Sequence, residues 1–199
     1  MMELLAFGDT GWGDELLLSM VMTILVSTSS LAFGLIIGTI FASFKLSNSY
    51  ILKAIAEFYT TVVRGVPELL VIYLLFFGGS GAVMYVAKIF GHMGYIELSP
   101  FTIGTIAVGA ISGAYSTEVI RGAILAVPKG QFEAAQTLGM AKYAMSFKVI
   151  FPQVARLALP GIGNVWQVTL KDTALISVTG LVEIMRQSKI AAGSTHEPF

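Results

Sequence analysis

Apolar residues run along this chain in blocks too long for an ordinary soluble core. The first, "LLLSMVMTILVSTSSLAFGLIIGTIFASF" from Leu16 to Phe44, carries no charge at all, and a helix crosses a bilayer with roughly 20 such residues. The pattern predicts a first span there. Ser27, Ser29, Ser30, Gly34 and Gly38 recur along it, and small residues let a neighbouring helix approach closely in lipid. A second apolar block runs from Ile55 to Phe77 and is interrupted by "RGVPE" at 64–68; a third runs from Phe101 to Val127 and a fourth from Val154 to Leu170. Between the second and third, Gly78 to Pro100 reads as a glycine-rich connection in which "AVMYVAKIF" forms a short interfacial helix. The final stretch, "KDTALISVTGLVEIMRQSKIAAGSTHEPF", is only partly apolar.

Composition agrees. Of 199 residues, 55% are hydrophobic and 12% charged, about half the charged share of a soluble domain. The formal net charge is zero, which gives no footprint for nucleic acid. With no cysteine, disulfide and thiolate chemistry are excluded. The fold class expected is an all-α integral membrane protein.

Charge sets the orientation. Arg121, Lys129, Lys142, Lys148 and Arg156 surround the segment after the third span against one acid, Glu133, and the loop after the first span is basic through Lys45 and Lys53. The N-terminal stretch is acidic, with Glu3, Asp9, Asp14 and Glu15. Basic loops stay in the cytoplasm, so the N-terminus is expected outside and residues 131–153 inside. The N-terminal stretch also lacks the basic region of a signal peptide, so the first span is expected to be retained.

The stretch "QFEAAQTLGMAKYAMSFKVIFPQ" (131–153) is polar on one side and lies between two apolar blocks. Pro128 and Gly130 end the third span. Phe132, Ala135 and Leu138 then fall at helical spacing, with Glu133, Gln136 and Thr137 on other faces. Gly139 can take the left-handed conformation that closes a helix. A second stripe follows through Met140, Tyr143, Ala144 and Phe147, and Pro152 marks entry to the next span. Periodicity alone fits either an interfacial helix resting on headgroups or a docking element for another protein.

"EAAQTLG", nine residues, then "VIFP" resembles the coupling motif of ABC importer permeases: Glu133, Ala134, Ala135, Gly139 and Pro152 match, with Val149 and Phe151 as conservative departures. Three further stretches, "TTVVRGVPELLVIYLLFFG", "GAYSTEVIRGAILAVPKGQFEAA" and "GIGNVWQVTLKDTALISVTGLVEIMRQ", are similar to the polar amino-acid subfamily of those permeases. The resemblance covers most of the chain from Ser19 onward. It implies a single transmembrane domain over 1–199 with the type I ABC importer fold, whose coupling loop (about 128–149) docks into a cytoplasmic ATPase dimer through Phe132, Glu133, Ala134, Ala135, Leu138, Gly139 and Pro152. It also implies a second permease subunit, homologous or identical, a periplasmic substrate-binding protein, and placement in a bacterial inner membrane. ATP and Mg would be bound by the ATPase and no cofactor by this chain. Four spans are legible; the family has a fifth after "THEPF", and none follows within these 199 residues.

Ionisable residues at membrane depth are functional suspects. Glu68 precedes Gly78 by ten residues, about 15 Å of helix rise, which puts it near mid-membrane. Arg64 is four residues earlier, so the two can pair, or Glu68 can face the path and meet a cationic substrate. Members of the family resembling histidine, lysine–arginine and opine systems tend to be acidic at this place. Pro67 loosens the helix there. Glu118 and Arg121, three residues apart, can pair in a structural or gating role. Lys171 and Asp172 form either a solvated helix end or a segment near the external gate, and Asn164 and Gln167 are candidates to line the path. Trp166 reads equally as packing.

Enzymatic chemistry finds no footing. His92 and His196 lack metal-ligand spacing, and there is no phosphate loop of the "GXXXXGK[ST]" kind; "GSGAVMYV" does not supply one. The function expected is an ATP-driven permease for polar, most of all basic, amino acids or opines. A secondary transporter working without an ATPase is the other reading, although no internal repeat of that class is visible.

Overall fold

Prolines decide where several of these helices stop and start. A computed structural model describes residues 5–8, 11–90 and 99–196; Glu3, Asp9, His92 and the last part of the expected 78–100 connection lie outside the described residues. Helix α1 spans Gly13–Leu46, with Asp14 and Glu15 in its first turn and Lys45 in its last, each sign matching the helix dipole. Ser49 caps α2, Tyr50–Gly65, by accepting from the Leu52 N–H. Val66 then turns extended (φ −102°, ψ 143°), as a residue before proline does, and Pro67 leads into α3, Glu68–Tyr73.

A π turn, Leu74–Gly78, joins α3 to α4, Gly79–Ile89. The expected second span is therefore two helices broken at Val66–Pro67, and the apolar helix begins at Glu68 and runs through the region read as a glycine-rich connection. Pro100 occupies the first turn of α5, Pro100–Ala126, where its missing N–H costs nothing. Val127 is again extended before Pro128. Helix α6, Lys129–Thr137, follows, then α7, Lys142–Met145, a π turn Ser146–Ile150, and α8, Phe151–Asp172. A 3₁₀ segment, Thr173–Thr179, and α9, Ile184–Thr195, complete the described order.

Three of these helical stretches are long and apolar enough to cross a membrane: Gly13–Leu46, Glu68–Val86 and Pro100–Ala126. Helix α8 covers the expected fourth span, but it is amphipathic, burying Ala158, Val165, Thr169 and Asp172.

Helices α1 and α5 cross at close range through small residues. Gly34 faces Ser112, Gly109 and Gly113, and Gly38 faces Ser116 and Thr117. The Ser112 hydroxyl donates across the crossing to the Ser30 carbonyl at 3.2 Å. Around this seam Val26, Ile72, Ala107, Val108, Ile111, Ile176 and Leu181 form a buried cluster. A second cluster, Val127, Ala135, Met145 and Ile150, holds α6 beneath the end of α5. Most of the remaining apolar surface is outward: Leu18, Ile36, Ile55, Phe58 and Leu74 are all exposed, as a lipid-facing or subunit-facing surface requires.

Thr23 and Ile184 tie the start of α9 to α1, the Ile184 N–H donating to the Thr23 hydroxyl at 3.1 Å. Glu183, fully buried, caps α9 by accepting from the Met185 and Arg186 N–H groups.

Candidate functional site

Glu68 opens α3 and meets residues from two other helices. The Tyr115 hydroxyl of α5 donates to Glu68 Oε1 at 3.3 Å. Asp172, at the end of α8 and 7% exposed, lies near enough to Glu68 for the two carboxylates to interact. Tyr115 is about 22 Å of helix rise from Pro100, so two carboxylates converge near the middle of α5. Buried charge without compensation is costly, and a cation arriving between them would offset that cost.

Arg64 supplies no such compensation. Helix α2 ends at Gly65, so the turn expected to carry Arg64 back onto Glu68 does not exist, and no ion pair joins the two among the described residues. The Arg64 guanidinium instead sits 5.4 Å from the Tyr115 ring centroid, a cation–π distance.

On the side of this cluster toward the 128–149 loop, Lys45, Glu57, Thr60, Thr61, Arg64 and Arg121 line a polar cleft of about 470 Å³, with Gly65 and Glu118 completing the wall. Glu118 and Arg121 pair as expected, Arg121 Nε donating to Glu118 Oε2 at 3.0 Å. Lys45 joins them. Its side chain is 5% exposed, and its ammonium contacts Glu118 and, at 3.1 Å, Glu57. Lys45, expected as a loop charge, is thus buried between helices, and Glu57, not among the expected site residues, joins it. The signal was there: Glu57, Thr60, Thr61 and Arg64 stand at i, i+3, i+4 and i+7, a polar stripe on a helix otherwise rich in apolar residues.

Helix α8 separates the residues read there as a group. Asp172 turns inward to Glu68, whereas Asn164, Gln167 and Lys171 form an exposed stripe on another face. Adjacent helix positions point about 100° apart, which is why Lys171 and Asp172 part company. The stripe does not join the Glu68 cluster.

The loop from Pro128 to Pro152 folds as an amphipathic hairpin. Gly139 is left-handed, φ +69°, and the Met140 and Gly139 N–H groups donate to the Ala135 and Gln136 carbonyls at 3.1 and 2.9 Å, the Schellman closure of a helix. Ala135 is buried with Met145 and Ile150, and Phe132 packs on them. Glu133, Ala134 and Leu138 face outward, Leu138 at 80% exposure. Of the expected stripe, Tyr143 and Phe147 are outward too, their rings tilted with centroids 4.5 Å apart and followed by Phe151 at 6.3 Å. Helix α7 is held down by Met145, and of the residues the spacing selected, Met140 packs on the same cluster and Ala144 is half-buried. Pro152 falls in the first turn of α8, and Gln153 bridges back to Gln131 at 3.2 Å.

A helical fold with stretches long and apolar enough to cross a membrane, ionisable side chains gathered beside the middle of α5 and an amphipathic hairpin at one end has the parts of a transport component. Residues 30–194 match the model of the family described as binding-protein-dependent transport system inner membrane component, and the chain belongs to that family. It is 54% identical over 199 residues to the nopaline transport system permease protein of Agrobacterium fabrum, covering 100% of this chain and 84% of that protein. To the histidine/lysine/arginine/ornithine transport system permease protein of Escherichia coli it is 42% identical, over 95% of this chain and 82% of that one. A solved structure described as the crystal structure of an amino acid ABC transporter with histidines superposes with a TM-score of 0.76 and 32% identity, covering 94% of this chain and 82% of that chain. The fold is that of an ABC transporter permease, and the chain is a membrane transport subunit and not an enzyme, with ATP hydrolysis left to a separate subunit.

Proposed function

We propose that this chain forms part of the translocation path of an ATP-driven importer for basic amino acids or opines, placed in a bacterial inner membrane with its N-terminus in the periplasm. The observation that carries the substrate class is the convergence of Glu68 and Asp172, from two helices, onto one place near mid-bilayer. The relatives named for nopaline and for histidine, lysine, arginine and ornithine support it, since every one of those ligands presents a cationic group. A periplasmic binding protein delivers the ligand. A second permease subunit completes the path, and an ATPase dimer that binds ATP and Mg engages Glu133, Ala134, Leu138 and their neighbours on the outward face of the hairpin. Closure of that dimer draws the hairpins together and rocks the spans. The exposed stripe of Asn164, Gln167 and Lys171 then faces the path between the two permease subunits.

Uptake of radiolabelled arginine, histidine and octopine into membrane vesicles tests the substrate assignment. Glu68→Gln and Asp172→Asn are each expected to lower cationic-substrate uptake at least ~10-fold, the scale of one lost charged contact, with the assembled complex still hydrolysing ATP. Unchanged uptake in both variants removes the assignment.

A further inference from the structure

The charges around the polar cleft are paired with one exception. Lys45 is held by Glu57 and Glu118, and Arg121 by Glu118. Arg64 lines the same cleft, yet no carboxylate pairs with it among the described residues. Its position is equally specific. It lies in the last turn of α2, and its guanidinium stands against the ring of Tyr115 while the hydroxyl of the same tyrosine reaches Glu68.

Tyr115 therefore divides two subsites of opposite sign. On one side are the carboxylates of Glu68 and Asp172; on the other is an unpaired guanidinium facing about 470 Å³ of polar space. We propose that Arg64 is the anchor for the substrate's carboxylate, so that a ligand straddles Tyr115 with its cationic end at Glu68 and Asp172 and its carboxylate end in the cleft. The cationic half of this assignment rests on the function proposed above; the Arg64 half does not.

Three physical points favour Arg64 for this task. A guanidinium binds a carboxylate through two parallel N–H bonds in a fixed plane, which an ammonium cannot do. The neighbouring cations are already neutralised, so they neither compete for the anion nor repel a cationic tail. The cleft wall includes the exposed Thr61, and about 470 Å³ of polar space leaves room for the additional carboxylate of an N-substituted amino acid.

Equilibrium binding to the purified permease–ATPase complex in lipid nanodiscs, without binding protein, tests this. The ligands are L-arginine and octopine, which carry guanidinium and carboxylate, and agmatine, which keeps the guanidinium and lacks the carboxylate. The wild-type complex is expected to prefer arginine or octopine to agmatine. Arg64→Gln is expected to weaken binding of the carboxylate-bearing ligand roughly 10-fold or more, the scale of a charged hydrogen-bonded contact, while agmatine affinity stays within about twofold, so the preference disappears. Arg64→Lys, which keeps the charge and loses the fork, is expected to restore part of it. A wild-type complex that does not distinguish the ligands, including one that binds none, overturns the proposal. So does an Arg64→Gln complex that loses all ligands equally or keeps its preference. The doubly neutralised Glu68→Gln, Asp172→Asn complex is measured alongside: if it still binds all three ligands at wild-type affinity, the cationic subsite fails while the Arg64 comparison is read on its own.

Discussion

Lys45, in the last turn of α1, places its ammonium on Glu118 in α5, and its side chain is almost fully buried there. One cation thus fastens the first and fifth helices, while its second contact, to Glu57 of α2, is made by a carboxylate that is 64% exposed.

The two contacts are therefore unequal, and mutation separates them. Lys45→Met leaves Glu118 with Arg121 as its only cation and is expected to cost about 1–3 kcal/mol. Glu57→Gln breaks a solvated pair and is expected to cost less than about 1 kcal/mol. Thermal unfolding of the purified permease reads both. Lys45→Met combined with Glu118→Gln is expected to cost less than the sum of the single changes, because no carboxylate is left stranded.

At the α1–α5 crossing a β-carbon on Gly38 would lie 2.6 Å from Ser116 Cβ and 3.1 Å from its carbonyl carbon. Backbone on the far side cannot yield, so Gly38→Leu is expected to force the helices apart and abolish recovery of folded protein. Gly122 lies further along the same α5 helix with nothing within 4 Å of such a carbon. Gly122→Ala is expected to be neutral or to stabilise by up to ~1 kcal/mol, as alanine does in an exposed helix. Fluorescence-detected size-exclusion chromatography after heating distinguishes the pair.

The hairpin offers a separation of fold from docking. Leu138→Ser alters a side chain that touches almost nothing in this chain, so the melting temperature is expected to hold while co-purification of the ATPase falls. Ala135→Leu overfills the Val127–Met145–Ile150 cluster and is expected to lower both, by about 1–3 kcal/mol in stability. Gly139→Val places a β-branched residue at φ +69°, where it is expected to cost about 1–2 kcal/mol and to unwind the hairpin first. Hydrogen exchange of the 129–150 amides locates that unwinding.

Glu183 supplies both of its carboxylate oxygens to the first turn of α9. Glu183→Ala is expected to cost about 0.5–2 kcal/mol, the usual loss for an N-cap, and to raise hydrogen exchange in α9 with little effect in α5. Thr23→Val, which removes the hydroxyl that receives the Ile184 N–H, is expected to act on the same helix from the opposite side.

Much of this architecture is legible in the chain because membrane helices must be apolar, and the hairpin because its period and its glycine are local signals. The Gly139 closure and the Glu118–Arg121 pair needed only three or four residues of context. What sequence alone hid lay in the geometry between helices. The spacing of Arg64 and Glu68 invites an ion pair, and only the extended Val66 shows that the helix they would share is broken. Lys45 sits at the end of an apolar block and looks like a loop charge until α5 is packed beside it. Lys171 and Asp172 are neighbours in the chain and strangers in space, because covalent adjacency on a helix means divergence across its surface.

From Lys142 to Asp172 the backbone continues without interruption through α7, the π turn and α8, some 45 Å at the usual helical rise. Its lower end carries the outward rings of Tyr143 and Phe147; its upper end carries the carboxylate that faces Glu68. The two ends belong to one connecting rod, and Pro160 inside α8 removes one hydrogen bond from its backbone ladder. On the function proposed above, a tilt imposed at the aromatic end would carry through to the spacing of the acids at the other, so that one piece of backbone would both receive the ATPase's closure and set the hold on the substrate.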